Sequence, residues 1–145
     1  MATTTQLYNS ALLRLMTGSL DIAGHTFKAM LLVNVTPNLA NTTLSAVKQS
    51  GSEITGTNWP TGGIALTNLT IEASGTSGAK LTADNIDVVI PSGLGPYSHV
   101  VVYDDTDGAD WPLLIITFDS PITVLDGYSV GITWSPDGIV VLTVG

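Results

Sequence analysis

The sequence predicts a mainly β protein, an antiparallel β-sandwich or jelly roll with one short N-terminal helix. Short apolar runs recur from residue 26 to the C-terminus, and turns that contain Gly or Pro separate them. Strands do not alternate with helical patterns as they would in β–α–β units. The length of 145 residues suits one domain over residues 1–145, with enough chain for a single core.

Residues 3–18 have the pattern of a helix. Thr3 and Gln6 are spaced as a capping box, and Gly18 stands where a helix commonly stops. Between them, apolar residues recur at helical spacing and form one stripe: Leu7, Tyr8, Ala11, Leu12, Leu15 and Met16. Because so short a helix is marginal alone, we expect it to pack on the β-domain or on a neighbouring subunit.

The pattern turns to β after the helix. Residues 26–35 are apolar on both alternating faces, as in a strand that is buried on two sides. Residues 34–63 are polar and form the longest irregular stretch, which in compact domains is usually functional or mobile. A change of phase near Thr67-Asn68 predicts a bulge, residues 75–78 predict a turn, and residues 79–90 return to an extended pattern.

The C-terminal third has the clearest strand pattern. Residues 98–103 and 113–118 are apolar runs on either side of an acidic segment, and Asp126-Gly127 predicts a tight turn. Residues 135–138 (SPDG) predict a type I turn before a last strand over 139–144. Between the two turns, one alternating face is apolar and is expected to be buried: Tyr128, Val130, Ile132 and Trp134.

Charge and composition narrow the classes of function. The net charge is −8, and the four basic residues, Arg14, Lys28, Lys48 and Lys80, are scattered, which disfavours nucleic acids and anionic membranes as partners. Without cysteine there is no disulfide, thiolate metal site or Cys nucleophile. No apolar run reaches the length of a membrane span, and the N-terminus lacks the pattern of a signal peptide.

Four aspartates, Asp104, Asp105, Asp107 and Asp110, lie within seven positions and are the weak metal candidate of the chain. An EF-hand with Gly108 at its sixth position fails, because the first and twelfth positions then fall on Tyr103 and Leu114. A looser Ca²⁺ site stays open. We favour a solvated hairpin tip, since exposed carboxylates repel each other weakly in water and aspartates stabilise turns.

No residue pattern points to catalysis, and no cofactor is expected. The remaining carboxylates do not single out a pair for acid–base work. His25 and His99 lie at strand entrances, where a structural histidine is the more common case, and no G-x-S-x-G elbow or nucleotide-binding glycine motif is present. We therefore expect a protein that is not an enzyme.

Tryptophans offer a possible binding surface. Trp59 and Trp111 each precede a proline in a predicted loop, where an exposed ring can stack on a sugar or contact a partner protein. Trp134 belongs to the alternating face and is expected in the core. A carbohydrate-binding module, with or without Ca²⁺ at the acidic segment, is therefore an alternative to a protein-binding role.

Four stretches resemble small virion proteins of tailed bacteriophages: LYNSALLRLMTGSLDIAGHTFKAMLLVN, GGIALTN, HVVVYDDT and PLLIITFDSPITVLDGYSVGITWSPDGIVVL. Shared features are a helix with Tyr-Asn, a Thr-Phe-Lys strand, a Gly-rich strand and a hairpin with Trp. The resemblance covers most of the chain except residues 36–58, and no catalytic residues come with it. It implies a component of the phage particle, assembled in the host bacterial cytoplasm.

Within this class, the resemblance implies a role in the head or tail, and our leading hypothesis is a capsid decoration (cement) protein that binds the major capsid protein or other virion proteins and stabilises the assembled head. The resemblance implies a symmetric homo-oligomer, which we expect to be a dimer or trimer, and a tail or neck component is the alternative within the virion. An interface repeated by shell symmetry gives avidity without strong single contacts. Expected contact residues are the helix stripe and the loop aromatics: Leu7, Tyr8, Leu12, Leu15, Met16, Trp59 and Trp111.

Overall fold

A central antiparallel sheet organises the chain in the computed structural model, which describes residues 3–49, 53–74, 78–106, 110–134 and 140–143. Its six described strands follow the order β1-β9-β8-β2-β3, and β4 also pairs with β2. Two smaller antiparallel sheets have the orders β11-β6-β5 and β10-β7. The predicted mainly β, sandwich-like class with one short N-terminal helix is confirmed.

The described elements have the following bounds: β1 (Thr3–Leu7), α1 (Asn9–Thr17), β2 (Phe27–Leu32), α2 (Leu44–Lys48), β3 (Glu53–Ile54), β4 (Ile64–Ala65), β5 (Thr70–Ser74), β6 (Gly78–Thr82), β7 (Ile86–Val89), β8 (Leu94–Asp104), β9 (Trp111–Val124), β10 (Ser129–Ile132) and β11 (Val140–Thr143). The core lies around the middle of the central sheet. Val100, Val101 and Val102 of β8 are all buried, as are Leu114 and Ile115 of β9. Because successive strand residues point to opposite faces, this sheet is covered on both sides.

The predicted helix is wrong over its first third. Residues Thr3–Leu7 form β1, which pairs antiparallel with β9 from Thr3–Phe118 to Leu7–Leu114. The threonines that suggested a cap are β-branched and favour a strand once a ladder partner is available. Helix α1 begins at Asn9 and ends as predicted, since Gly18 adopts a left-handed conformation with φ of 80° and its N–H bonds to carbonyls of the last turn.

Residues 34–63 are more ordered than the sequence suggests, since they contain α2 and β3. The phase change near Asn68 is no bulge, because the chain there passes between sheets: β4 pairs with β2, whereas β5 pairs with β6. Asn68 takes a positive φ of 53° at this passage. Residues 75–77 of the predicted turn lie outside the described residues.

The predicted strands on either side of the acidic segment are confirmed and form the β8–β9 hairpin, with Val100 opposite Ile116. The turn at Asp126-Gly127 is also present, with the N–H of Tyr128 donating to the carbonyl of Leu125 at 3.0 Å. It does not close a hairpin, because β10 pairs with β7. Three residues of the predicted buried face, Val130, Ile132 and Trp134, are buried, but Tyr128 is 67% exposed, so the prediction for Tyr128 was wrong.

The polypeptide beyond β10 is only partly described. The predicted turn over residues 135–138 lies outside the described residues. The last predicted strand corresponds to β11, which pairs antiparallel with β6 from Val140–Leu81 to Thr143–Gly78. The β11-β6-β5 sheet therefore joins the last described strand to the middle of the chain.

Candidate interaction surface

Asp104 lies inside the protein, so the predicted solvated hairpin tip is wrong at this residue. It ends β8 and is 2% exposed. One carboxylate oxygen, Oδ2, accepts hydrogen bonds from Nδ1 of His25 at 2.7 Å and from the guanidinium of Arg14 at 3.3 Å. The other, Oδ1, accepts from the backbone N–H of Thr106 at 3.1 Å. These donors make the carboxylate a structural anchor that ties the helix and the strand entrance to the sheet.

The pKa of Asp104 depends on two opposing effects, burial and hydrogen bonding. Burial alone raises the pKa of a carboxyl group, because it disfavours the charged form. Hydrogen bonds from the hydroxyl and backbone N–H of Thr106, together with the imidazole of His25, outweigh burial and hold the pKa of Asp104 below its usual range. The ionised form is therefore the folded-state form at neutral pH.

Asp105 and Asp110 form a second, separate group. Lys28 places Nζ at 2.9 Å from Oδ2 of Asp105. Burial, followed by the hydrogen bond and negative charge of Asp105, raises the pKa of Asp110. Oδ1 of Asp110 is buried and has no hydrogen-bond partner among the described residues. The negative charges of Asp105 and Asp110 thus repel each other, and the ammonium group of Lys28 offsets part of this repulsion.

The acidic segment does not assemble a cation site from the residues that can be placed. Asp107 lies outside the described residues, and the other three aspartates divide between the anchor of Asp104 and the pair of Asp105 and Asp110. Within the described part of the chain, no three His, Asp or Glu side chains are grouped so that they could hold a metal ion.

The two loop tryptophans do not form the predicted exposed platform. Trp59 is fully buried, so its assignment as a contact residue is wrong; the polar loop that carries it folds back through paired backbone bonds between Gly56 and Trp59. Trp111 is the first residue of β9 and is partly buried, and the guanidinium carbon of Arg14 lies 4.9 Å from its ring centroid. Its ring face is thus already occupied by a cation–π contact within the chain. Trp134 is in the core as predicted, with Nε1 donating to the carbonyl of Asp84 at 2.8 Å.

The predicted helix stripe divides into a buried and an exposed part. Tyr8 is fully buried, which corrects its assignment as a contact residue, and Leu7 and Leu15 pack partly buried against the core. On the outer side, Leu12 is 39% exposed and Met16 is 78% exposed. Leu13, which the sequence analysis missed, is 63% exposed. The sequence could have indicated this exposure, because Leu13 lies outside the stripe of a short helix that can bury only one side against its own domain.

We call Leu12, Leu13 and Met16 the exposed helix patch. Leu12 and Met16 are four residues apart and Leu13 and Met16 are three apart, so the three side chains are neighbours on α1. Arg14, the helix's charged residue, is turned inward to Asp104 and Trp111. The patch is therefore apolar, uncharged and held by a helix whose orientation is fixed.

Both histidines contact a neighbouring polar side chain. His25 is held by Asp104 as described above. His99 is buried within β8, its Nδ1 lies 2.8 Å from Oγ of Ser98, and burial lowers the pKa of its imidazole. The neutral form of His99 is therefore favoured.

The described residues line three pockets of note. A partly closed one lies between α1 and the β5–β6 pair, measures about 30 Å³ and has room for roughly one water molecule. Two open clefts adjoin the turn after β9, with volumes of about 350 and 570 Å³. They share residues 123–125.

Comparisons with family models, with curated proteins and with solved structures found no match to the chain. Among the described residues, no helix has the length and apolar character that crossing a membrane requires.

Proposed function

We propose that the protein is a non-enzymatic structural protein of a bacteriophage virion, in the first place a capsid decoration protein that binds the assembled head. The observation that carries the proposal is the exposed helix patch of Leu12, Leu13 and Met16. The resemblance to phage virion proteins gives the class, and the patch gives the surface through which this chain would join a particle.

The helix geometry supports a contact role for the patch. Helix α1 buries Ala11 and packs Leu15 against the core, yet the large apolar side chains of the patch remain exposed on its outer side. Large exposed apolar groups that lie together mark interaction sites on soluble proteins. Since the opposite side of the helix is fixed by Arg14 and Asp104, the patch is presented in one orientation.

The distribution of charge also favours the exposed helix patch as the contact surface. The chain carries a net charge of −8, so two copies or a copy and an acidic shell repel each other at a distance. The patch contains no ionisable side chain, so its burial does not require the desolvation of a charge. A dimer or trimer that meets near the patch, or a capsid protein that covers it, would avoid the acidic remainder of the surface.

The experiment compares particle binding by matched variants. Leu13→Gln combined with Met16→Gln removes the apolar character of the patch, and Ile71→Gln changes an exposed isoleucine of β5, outside the patch. Purified particles that lack the protein are incubated with each variant, and the bound fraction is measured after sedimentation. We expect the helix variant to lose at least about tenfold in affinity and the Ile71→Gln variant to bind normally.

Two outcomes would overturn parts of this proposal. Normal binding by the helix variant would remove the patch from the contact surface. Absence of the protein from purified particles, and failure to bind them when added, would remove the virion role altogether. A few copies per particle, in place of a number near the capsid lattice count, would move the protein from the shell to the tail or neck.

A further inference from the structure

A cleft opens where β9 ends and β10 begins, on both sides of the turn from Leu125 to Tyr128. It measures about 350 Å³ and is lined by residues 122–125, by Tyr128, Ser129 and Gly131, and by the buried Tyr97. We call it the β9–β10 cleft. The larger cleft beside it shares residues 123–125 and adds Asp126.

Among the described strands, residues 122–124 of β9 have a partner on one side only, and these residues line the cleft. Strand β9 runs to Val124, but the register of its neighbour β1 ends with Thr3 opposite Phe118. On the side of β9 that faces β1, no described strand pairs with residues 122–124. Strand β10 does not fill this position, because its partner among the described strands is β7. Open edges present backbone donors and acceptors that a further extended segment can pair with.

Gly131 lines the cleft with backbone alone, and the described surroundings of this residue do not require a glycine. Three described glycines, Gly18, Gly127 and Gly131, would meet nothing within 4 Å on gaining a Cβ. Gly18 and Gly127 have positive φ values of 80° and 81°, which explains them. Gly131 has no such φ, and glycine weakens a strand interior. A strand glycine often marks a bulge, a tight bend or a site that another backbone approaches closely, and the empty space beside Gly131 leaves room for such an approach.

Exposed apolar side chains surround this wall. Leu125 and Tyr128 are 64% and 67% exposed, and Val89, directly opposite Ser129 on β7, is 55% exposed. Directly opposite residues in an antiparallel pair point to the same face. Leu125 and Tyr128 line the cleft, and Val89 lies on the same face as Ser129 beside it, so the three side chains can contact alternate side chains of an added strand.

The charge at the cleft is negative. Asp87 lies directly opposite Gly131 on β7, and Asp126 lies in the turn. The basic residues are committed elsewhere: Arg14 to Asp104, Lys28 to Asp105, Lys48 to Glu53, and Lys80 opposite Glu72 in the β5–β6 pair. An incoming segment thus meets carboxylates without nearby counter-charges, which favours lysine or arginine and disfavours a second copy of this acidic chain.

We propose that the β9–β10 cleft binds an extended, basic segment of a partner protein, which pairs with the open edge of β9 at residues 122–124 and passes over Gly131. Backbone pairing supplies the affinity, and the apolar and acidic surroundings select a segment that alternates apolar and basic side chains. This surface is distinct from the exposed helix patch, so the inference does not rest on the proposed function.

The test uses a synthetic peptide of about eight residues in which valine and lysine alternate, a length within the usual range for strands. It is titrated into the isotope-labelled full chain, and backbone amide shifts and amide hydrogen exchange are recorded. One control peptide carries glutamate in place of lysine. Another has proline at its centre, which removes a backbone donor. We expect shifts and slowed exchange at residues 122–124 and at Gly131 with the lysine peptide, weakening as salt rises.

Matched variants decide the geometry. Gly131→Val places a side chain into open space, so the fold is retained while the approach of a backbone is blocked. It should weaken the peptide at least about tenfold, and Asp87→Asn with Asp126→Asn should weaken it several-fold. Leu13→Gln, on the exposed helix patch, should leave binding unchanged. No shifts at about millimolar peptide, equal binding by the glutamate peptide, or full binding by Gly131→Val would each overturn the proposal.

Discussion

The guanidinium of Arg14 lies 3.3 Å from the carboxylate of Asp104, although the two residues are 90 positions apart in the chain. The contact joins α1 to the end of β8, and the ring of Trp111 lies against the same guanidinium at 4.9 Å. One side of the helix is thereby fixed to the central sheet. The exposed helix patch on the other side is held in place by this contact and by the buried Tyr8 and Ala11.

Asp104→Asn tests this anchor. Removing the negative charge leaves Arg14 and His25 without their ionised partner in a buried setting, although both are themselves partly exposed. We expect the free energy of unfolding to fall by about 2–3 kcal/mol in urea titration. Asp126→Asn, at an exposed turn residue, should change it by less than about 0.5 kcal/mol. Equal stability of the two variants would show that the anchor contributes nothing.

The same carboxylate predicts part of the acid dependence of stability. Its folded-state pKa is depressed, so its contribution is fully present above the unfolded value of about 3.9 and is lost as pH falls through the folded value. Urea midpoints measured below about pH 4 should therefore fall less steeply for Asp104→Asn than for the unmodified chain. Parallel pH profiles would contradict the assignment.

Asp110→Asn should have the opposite effect on stability from Asp104→Asn. Asp110 has a raised pKa, a buried unpartnered oxygen and a neighbouring carboxylate in Asp105, so its ionised form destabilises the fold at neutral pH. Asparagine also tolerates its positive φ of 51°. We expect a gain of about 1 kcal/mol at pH 7, measured by urea unfolding. A loss of stability would mean that the Asp110 charge has a stabilising partner.

Two buried tyrosines should respond differently to the loss of their hydroxyl groups. The hydroxyl of Tyr8 is buried without a partner among the described residues, and burial raises its pKa to about 12. Tyr103 donates to the carbonyl of Gly62 at 2.6 Å. Tyr8→Phe should stabilise the protein by about 1 kcal/mol, and Tyr103→Phe should destabilise it by a similar amount. Thermal unfolding of both variants checks the signs, and equal shifts would contradict this difference.

Glycines provide a further matched pair. A Cβ at Gly63 would collide with the carbonyl oxygen of Ala29, and its φ of 86° is unfavourable for alanine. Gly63→Ala should cost at least about 2 kcal/mol, whereas Gly131→Ala should be neutral within about 0.5 kcal/mol or slightly stabilising. Denaturant unfolding measures both. A large loss for Gly131→Ala would supply a structural reason for that glycine and weaken the argument for the β9–β10 cleft.

The fold class could be predicted because its main signals are local. The apolar runs of β2, β8 and β9 are long enough to indicate strands buried on both sides, and Gly18 ends α1 through its own backbone conformation. The first helix was predicted too long because Thr3–Leu7 satisfies a capping pattern locally, while the ladder with β9 more than a hundred residues later decides the outcome. Pairing over that separation leaves no local signal.

The interaction surface could be predicted only in part. Leu12 and Met16 lie on the exposed side, but Tyr8 and Trp59 are buried, since which side of an apolar helix or loop faces the core depends on the elements it packs against. Asp104 looked solvated because its partners, Arg14 and His25, are 90 and 79 positions away. Gly131 could not be recognised as unusual until its backbone conformation and empty surroundings were known.

A cryo-EM map of the intact particle tests the virion role most directly, because it reports location, copy number and contacts together. The proposed function predicts density for this fold at a number of sites near the capsid lattice count, with Leu12, Leu13 and Met16 covered by a neighbouring subunit. Particles without such density, or with the exposed helix patch facing solvent at every site, would contradict it.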